Sequence, residues 1–121
     1  MTEEKEYDIE DVEKNSDNRS FMMQALANHA PWVIAYASNK LHADKELMLE
    51  AVKQDGQLLY YASKELRDDK EVVGEAIKNK WLILKYASKR LRSDEDIAKI
   101  ALEINEKSKE FLIKTTWHYS N

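Results

Sequence analysis

The sequence predicts an all-α fold assembled from repeated pairs of short helices. The tripeptide Tyr-Ala-Ser recurs every 25 residues, beginning at Tyr36, Tyr61 and Tyr86, with a leucine and an aspartate at fixed offsets after each copy. Such constant spacing is typical of an internal repeat. The chain also holds only two glycines and one proline, too few for the many tight turns of an all-β fold. We therefore expect an array of short antiparallel helix pairs, arranged as a solenoid or as a compact helical bundle.

The chain divides into an N-terminal segment and a repeat domain. Residues 1–17 are mostly charged and are interpreted as an acidic N-terminal tail, because termini without docking contacts usually fray. Alternatively, Tyr7, Ile9 and Val12 cover the first repeat as a cap. Residues 18–121 then form a single helical-repeat domain. Its units span about residues 18–43, 44–68 and 69–93, followed by a degenerate cap at 94–121.

The second unit illustrates the pattern expected of each helix pair. Asp44 is a good N-cap, since its carboxylate can accept the free backbone N–H groups of a first helical turn. Gly56 is suited to the left-handed conformation that follows many helix ends. A second apolar stripe at helical spacing then runs to Leu66. The stripe of the first helix is Leu47, Met48, Ala51 and Val52.

The outer units depart from this pattern in two places. The first unit begins at Asn18, and its turn before Trp32 is one residue longer than the others; a loop tolerates such an insertion better than a helix. In the fourth unit, Phe111 stands where the tyrosine is expected. Terminal repeats are often atypical because one of their faces meets water.

These residues also indicate a family. The pattern Asp-x-Glu-Val-Val-x-x-Ala-Ile, followed by Tyr-Ala-Ser-x-x-Leu-x-x-Asp, resembles the short tandem repeats of the family called domain of unknown function 4116. The resemblance covers about residues 18–94, with a weaker extension to about 115. It implies helical tandem units. The family carries no established activity, so the resemblance implies no catalytic or binding residue.

The repeated polar residues are interpreted as structural. A serine nucleophile needs a nearby base and an orienting group, whereas Ser38, Ser63 and Ser88 are three equivalent residues in equivalent settings. As small residues they let neighbouring helices approach closely, and a serine hydroxyl can also bond the carbonyl one turn back. The repeat tyrosines are expected to pack with their hydroxyls on a polar partner such as a linker aspartate.

The sequence offers no cofactor or metal site. There is no cysteine, which excludes disulfides and thiolate ligands. The repeat aspartates precede helical stripes, where capping explains them better than metal binding does. His29, His42 and His118 lack the spacing of a helical zinc pair and are interpreted as surface residues. We therefore expect neither a cofactor nor an enzyme.

Positions that vary between the units are the candidates for a binding surface, because packing does not dictate them. Trp32, Tyr60, Trp81 and Lys85 occupy such positions, and aromatic residues dominate interface hot spots. Trp32 and Trp81 also lie next to helix turns, so the alternative is that both rings cover the core.

These observations leave three classes of function. The preferred class is a non-enzymatic interaction or scaffold module that binds another protein. We expect the chain to be a monomer or a weak homo-oligomer. The second is single-stranded nucleic-acid binding by helical repeats, which the net charge of −4 disfavours. The third is an uncharacterised enzyme or metal protein. The longest apolar run, residues 32–37, is far shorter than the ~20 residues of a membrane span. We expect a cytoplasmic protein without a membrane partner.

Overall fold

A computed structural model describes residues 6–113, which consist of α-helices and short 3-10 helices joined by turns. No strand occurs within these residues, and the all-α prediction is confirmed. The α-helices are α1 (Ile9–Lys14), α2 (Arg19–Ala27), α3 (Asn39–His42), α4 (Lys45–Gln54), α5 (Lys70–Asn79), α6 (Lys89–Arg92) and α7 (Glu95–Ile104). The 3-10 helices are Pro31–Tyr36, Gly56–Tyr61, Leu66–Asp68, Trp81–Tyr86 and Glu106–Phe111. Residues 114–121 of the predicted degenerate cap lie outside the described residues.

Every unit opens with an α-helix of nine or ten residues, as the repeat predicts. The side chain before each helix accepts hydrogen bonds from backbone N–H groups two or three positions later, which makes it an N-cap. These caps are Asn18, Asp44, Asp69 and Asp94. The apolar stripe predicted for α4 is fully buried, at Leu47, Met48, Ala51 and Val52. Capping and burial therefore define the first helix of each pair.

The second helix of each pair differs from the expected single α-helix. In the second unit, a 3-10 helix ends at Tyr61, Ala62 is extended with ψ 151°, and Ser63 starts a new helical turn. The Ser63 hydroxyl accepts a hydrogen bond from the Leu66 N–H at 3.2 Å. The equivalent serines cap α3 and α6 in the same way. Serine thus acts as a cap between two short helices, because its hydroxyl competes with continued helix for nearby N–H groups.

The backbone of the same serine joins each unit to the one before it. The serine N–H donates to a carbonyl at the end of the preceding unit or, for Ser38, of the segment before the first unit. The equivalent position of the fourth unit, Ile113, makes the same bond. The Tyr-Ala-Ser tripeptide therefore marks a backbone hydrogen bond between units, and the fourth unit keeps this bond although Ile113 replaces the serine. The bonds are Ser38 to Ser16 (2.7 Å), Ser63 to His42 (2.9 Å), Ser88 to Arg67 (2.9 Å) and Ile113 to Arg92 (2.8 Å).

The units stack in a row. The main contacts all join elements of the same unit or of adjacent units: α2 packs on α4, α4 on α5, and α5 on α7. The longer 3-10 helices of adjacent units also contact one another, and the buried side chains form one continuous core. Because nearest-neighbour packing characterises solenoids, the solenoid-like arrangement is the one observed.

A row of ion pairs links the units on the α-helix side. The first residue of one helix contacts both the cap and the second helical residue of the next unit. A cation at a helix N-terminus is disfavoured by the helix dipole. The two carboxylates of the next unit compensate for this, which explains why a cation occupies this position. The contacts are Arg19 with Asp44 (2.6 Å) and Glu46, Lys45 with Asp69 (3.0 Å) and Glu71 (3.1 Å), and Lys70 with Asp94 (2.9 Å) and Asp96 (3.1 Å).

Gly56 is required for a reason other than the predicted one. No glycine within residues 6–113 has a positive φ; the residue that does is His29, with φ 58°, in the longer turn of the first unit. A Cβ on Gly56 would lie 2.3 Å from the carbonyl oxygen of Ala76 in α5. The Gly56 N–H also donates to Asn79 Oδ1 at 2.7 Å. Close approach of two units therefore selects glycine here.

The segment before the first unit is helical in α1. Val12 is fully buried, and the ring of Tyr7 packs edge-on against Phe21 with centroids 5.7 Å apart. Ile9 points outward and is 51% exposed. Of the two interpretations of this segment, these contacts favour the one in which Tyr7 and Val12 cover the first unit, without Ile9. Residues 1–5 lie outside the described part of the chain.

His42 corrects the surface assignment made for the histidines. Its side chain is buried, and Nε2 lies 2.7 Å from the carbonyl oxygen of Ile34. Its ring also packs against Tyr61 at 5.8 Å. His29 is exposed as expected, and His118 lies outside the described residues. The repeat places His42 at the joint between two units, where both the backbone and the ring become buried.

Linker aspartates pair with the repeat serines rather than with the tyrosines. Within residues 6–113, no hydrogen bond joins a repeat tyrosine hydroxyl to an aspartate, so that expectation is wrong. Ser63 makes no such pair because Ala43 stands at the equivalent linker position. The serine hydroxyls that donate to an aspartate Oδ1 are those of Ser38, to Asp17 (2.7 Å), and Ser88, to Asp68 (2.5 Å).

Candidate protein-interaction surface

Exposed apolar side chains are concentrated on three 3-10 helices, Pro31–Tyr36, Gly56–Tyr61 and Trp81–Tyr86. Of the large exposed apolar residues in the described chain, only Ile9 and Ile104 lie elsewhere. We call the outer side of these three helices the 3-10 face. Its exposed apolar residues are Trp32 (41%), Tyr36 (39%), Tyr60 (54%), Tyr61 (39%) and Leu82 (54%).

The short period of the 3-10 helix determines which residues reach this face. With about three residues per turn, only the third and fourth residues of each helix are buried in every unit. The second, fifth and sixth residues therefore lie toward the outside. The units differ in sequence at the second and fifth residues, whereas the sixth is the repeat tyrosine. The buried pairs are Val33 with Ile34, Leu58 with Leu59, and Ile83 with Leu84.

Tyr60 connects the second unit to the third. Its ring meets Tyr61 edge-on at 5.2 Å and Tyr86 edge-on at 5.0 Å, measured between centroids. Edge-to-face contacts of this kind are favourable beyond the area they bury. The Tyr60 ring is thus oriented by its neighbours while remaining the most exposed aromatic ring of the 3-10 face.

Lys85 and Trp81 border one surface groove of about 450 Å³, which Gln57, Lys80 and Tyr86 also line. The Lys85 Nζ lies 5.2 Å from the centroid of the Tyr86 ring, within the range of a cation–π contact. The Trp81 ring is half-buried and lies 6.3 Å from Phe111. For Trp81, the interpretation as a core cover is therefore partly right, since one side of the ring packs inward and another lines the groove.

Trp32 stands apart from the other three predicted residues. It is 41% exposed, and its ring meets Tyr36 edge-on at 6.0 Å within the first unit. Tyr60, Trp81 and Lys85, in contrast, gather around Tyr86. The repeat register predicted that all four lie on variable positions, but it could not tell which of them become neighbours.

Sequence reasoning missed several residues of the groove, among them Gln57, Lys80, Leu82 and Tyr86. Gln57 occupies the position equivalent to Trp32 and could have been found from the same comparison of variable positions. Tyr86 was assigned to packing because it belongs to the signature. Lys80 stands directly before the helix that begins at Trp81, and no sequence signal distinguishes it from the other lysines of the chain.

Aspartates outside the groove are favoured in the ionised form by hydrogen bonds from neighbouring side chains. A hydrogen bond from Arg19 holds the pKa of Asp44 below its ordinary value. A hydrogen bond from the Ser88 hydroxyl, assisted by Arg90, lowers the pKa of Asp68. These groups are engaged in capping and in contacts between units, so they stabilise the stack.

Two further observations concern cofactors and membranes. Among residues 6–113, no group of three or more histidine, cysteine, aspartate or glutamate side chains is placed to hold a metal ion. None of the helices described in the same range is long and apolar enough to cross a membrane.

Comparison with protein-family models matches two tandem segments, residues 18–67 and 69–112, to the family described as Domain of unknown function (DUF4116). Comparison with curated proteins and with solved structures gives no match. Each matched segment spans about two of the stacked units, so one family domain corresponds to a pair of 25-residue repeats. The two segments together cover most of the chain and confirm the resemblance. The chain belongs to the family described as domain of unknown function (DUF4116).

Proposed function

We propose that this chain is a non-enzymatic interaction module that binds another protein through the 3-10 face. The observation that carries the proposal is the concentration of half-exposed aromatic rings on helices whose third and fourth residues belong to the core. Clusters of exposed apolar side chains on soluble domains often mark interaction sites. A row of stacked units also offers an extended surface whose variable positions can be adapted to a partner.

Tyr60 is the proposed centre of the surface. It is 54% exposed, and its edge contacts with Tyr61 and Tyr86 restrict the ring before any partner arrives. A side chain that is already oriented loses less conformational entropy on binding. Tyrosine is also among the residues enriched in interface hot spots.

A single-stranded nucleic acid is the second candidate ligand, because the repeat tyrosines place one partly exposed ring in each unit, at Tyr36, Tyr61 and Tyr86. Bases stack on such rings. That mode of binding also requires cations along the phosphate backbone, and the chain has a net charge of −4. A protein partner therefore ranks first.

The test is affinity capture from native lysate with three forms of the full chain, followed by quantitative mass spectrometry. The forms are the wild type, Tyr60→Ser and the matched control Ile104→Ser, which removes an apolar side chain of comparable exposure (42%) from α7. We expect a protein that the wild type and the control retain and that Tyr60→Ser loses. Equal retention of every protein by all three forms would contradict the proposal. Circular dichroism establishes that the variants are folded.

A further inference from the structure

We infer that the partner presents an acidic peptide segment, seated in the groove between the second and third units; this inference rests on the proposed function. The groove of about 450 Å³ is within the size range of ligand sites. A second cavity of about 240 Å³ shares Gln57 and Tyr86 with it and continues over Tyr60 and Tyr61. The two cavities are therefore neighbours at the boundary between the units, an arrangement suited to an extended segment.

Charge indicates the chemistry of the occupant. Lys80 and Lys85 line the groove and are exposed, and among residues 6–113 no aspartate or glutamate lines either cavity. In the part of the chain that the structure describes, neither lysine forms an ion pair, whereas Lys45 and Lys70 on the opposite side each contact two carboxylates. A chain of net charge −4 thus has a local positive site, which carboxylates of a partner complement.

The other residues that line the groove indicate which side chain the partner peptide carries between its acidic residues. Trp81, Tyr86 and Leu82 provide apolar surface beside the lysines, suited to an aromatic or aliphatic side chain. The Gln57 amide can both donate and accept hydrogen bonds, as a peptide backbone requires. The groove therefore favours a segment in which acidic residues flank one apolar anchor.

The repeat itself argues for a peptide over a nucleic acid. Binding one nucleotide per unit calls for a cation in each unit, but the residues equivalent to Lys85 are Ala35 and Tyr60. Those equivalent to Lys80 are Ala30 and Asp55. The two lysines of the groove therefore both lie in the third unit, where they can neutralise a short acidic segment but cannot follow a phosphate backbone along the row.

The experiment measures fluorescence anisotropy with the full chain and a fluorescein-labelled peptide, Glu-Glu-Phe-Glu-Glu. The comparison probes are the same peptide with glutamine for glutamate and a labelled ten-nucleotide uridine RNA. The groove variant is Lys80→Gln/Lys85→Gln. The matched control is Lys40→Gln/Lys64→Gln, which changes the net charge equally at exposed lysines outside both cavities. We expect the groove variant to bind the acidic peptide about tenfold more weakly than the wild type. The control should remain within about twofold of the wild type, and the glutamine peptide should lose affinity to a similar degree as the groove variant.

Three results would overturn the inference: no binding of the acidic peptide by the wild type, equal binding by the groove and control variants, or tighter binding of the RNA. Capture experiments separate this inference from the proposed function. If Tyr60→Ser loses the captured protein but Lys80→Gln/Lys85→Gln retains it, the acidic segment is refuted while the interaction module stands. If Tyr60→Ser also retains it, the proposed function itself is refuted.

Discussion

The two glycines of the chain should respond in opposite directions to the same substitution. In Gly56→Ala, the new Cβ would lie 2.3 Å from the carbonyl oxygen of Ala76, closer than the 3.0 Å that real Cβ atoms essentially always keep. That oxygen belongs to the backbone of α5, so relief requires the two units to separate. In Gly74→Ala, the Cβ would meet only Ile100 Cδ1 at 3.7 Å, an ordinary contact.

The magnitudes follow from these distances. Overpacking against a surface that cannot rotate away costs about 1–3 kcal/mol, and movement of Gly56 also weakens its hydrogen bond to Asn79. Gly74 lies inside α5, where alanine in place of glycine stabilises a helix by about 0.5–1 kcal/mol. Because domains are stable by only about 5–15 kcal/mol, both changes are measurable.

The assay is urea unfolding of the full chain, followed by circular dichroism, with the midpoint and slope fitted for the wild type and both variants. We expect the midpoint of Gly56→Ala to fall and that of Gly74→Ala to rise, with unchanged slopes. A Gly56→Ala chain as stable as the wild type would refute the close approach of the second and third units. A marked loss of stability in Gly74→Ala would contradict the structure at α5, where a Cβ on Gly74 meets Ile100 only at an ordinary contact distance.

Three other outcomes are expected in the same assay. Leu91→Ala should cost about 2–5 kcal/mol because the side chain is fully buried, and a loss under about 0.5 kcal/mol would contradict the assigned core. Ser88→Ala should cost about 0.5–1.5 kcal/mol more than Ser63→Ala, since Ser88 also donates to Asp68; equal losses would contradict that bond. The lowered pKa of Asp44 means that its contribution is present above its ordinary pKa of 3.8 and is lost as the pH falls further. Between about pH 6 and pH 3, the wild type should therefore lose more stability than Asp44→Asn, and equal losses would contradict the pairing.

Local chemistry made the first helix of each pair predictable. Asp44 and its equivalents each precede an apolar stripe, and an N-cap acts on N–H groups only two or three residues away. Leu66 and Leu91 recur in register after the repeat tyrosines, and both are buried. Such features depend on neighbours within one turn, which a single sequence displays directly.

The second helix of each pair was only partly predictable. The apolar spacing around Ala62 is compatible with an α-helix, but the Ser63 N–H donates to the His42 carbonyl of the preceding unit, and the Ser63 hydroxyl accepts a hydrogen bond from the Leu66 N–H. One of these bonds joins residues 21 positions apart, so periodicity within the segment cannot reveal it. The ion pairs between units had a sequence signal that was overlooked. A cation stands directly after each of the first three caps, where its own helix dipole disfavours it, and this indicates an acidic partner elsewhere.

The sequence by itself determined the all-α class, the 25-residue unit and the caps, because these arise from interactions within a turn and from exact repetition. The tertiary structure alone decided the solenoid-like stacking, the need for glycine at Gly56 and the gathering of Tyr60, Trp81 and Lys85 around Tyr86. These features depend on the distance between units and on which side of a 3-10 helix faces outward. Residues that lie far apart along the chain meet there, and no local pattern encodes how closely they approach.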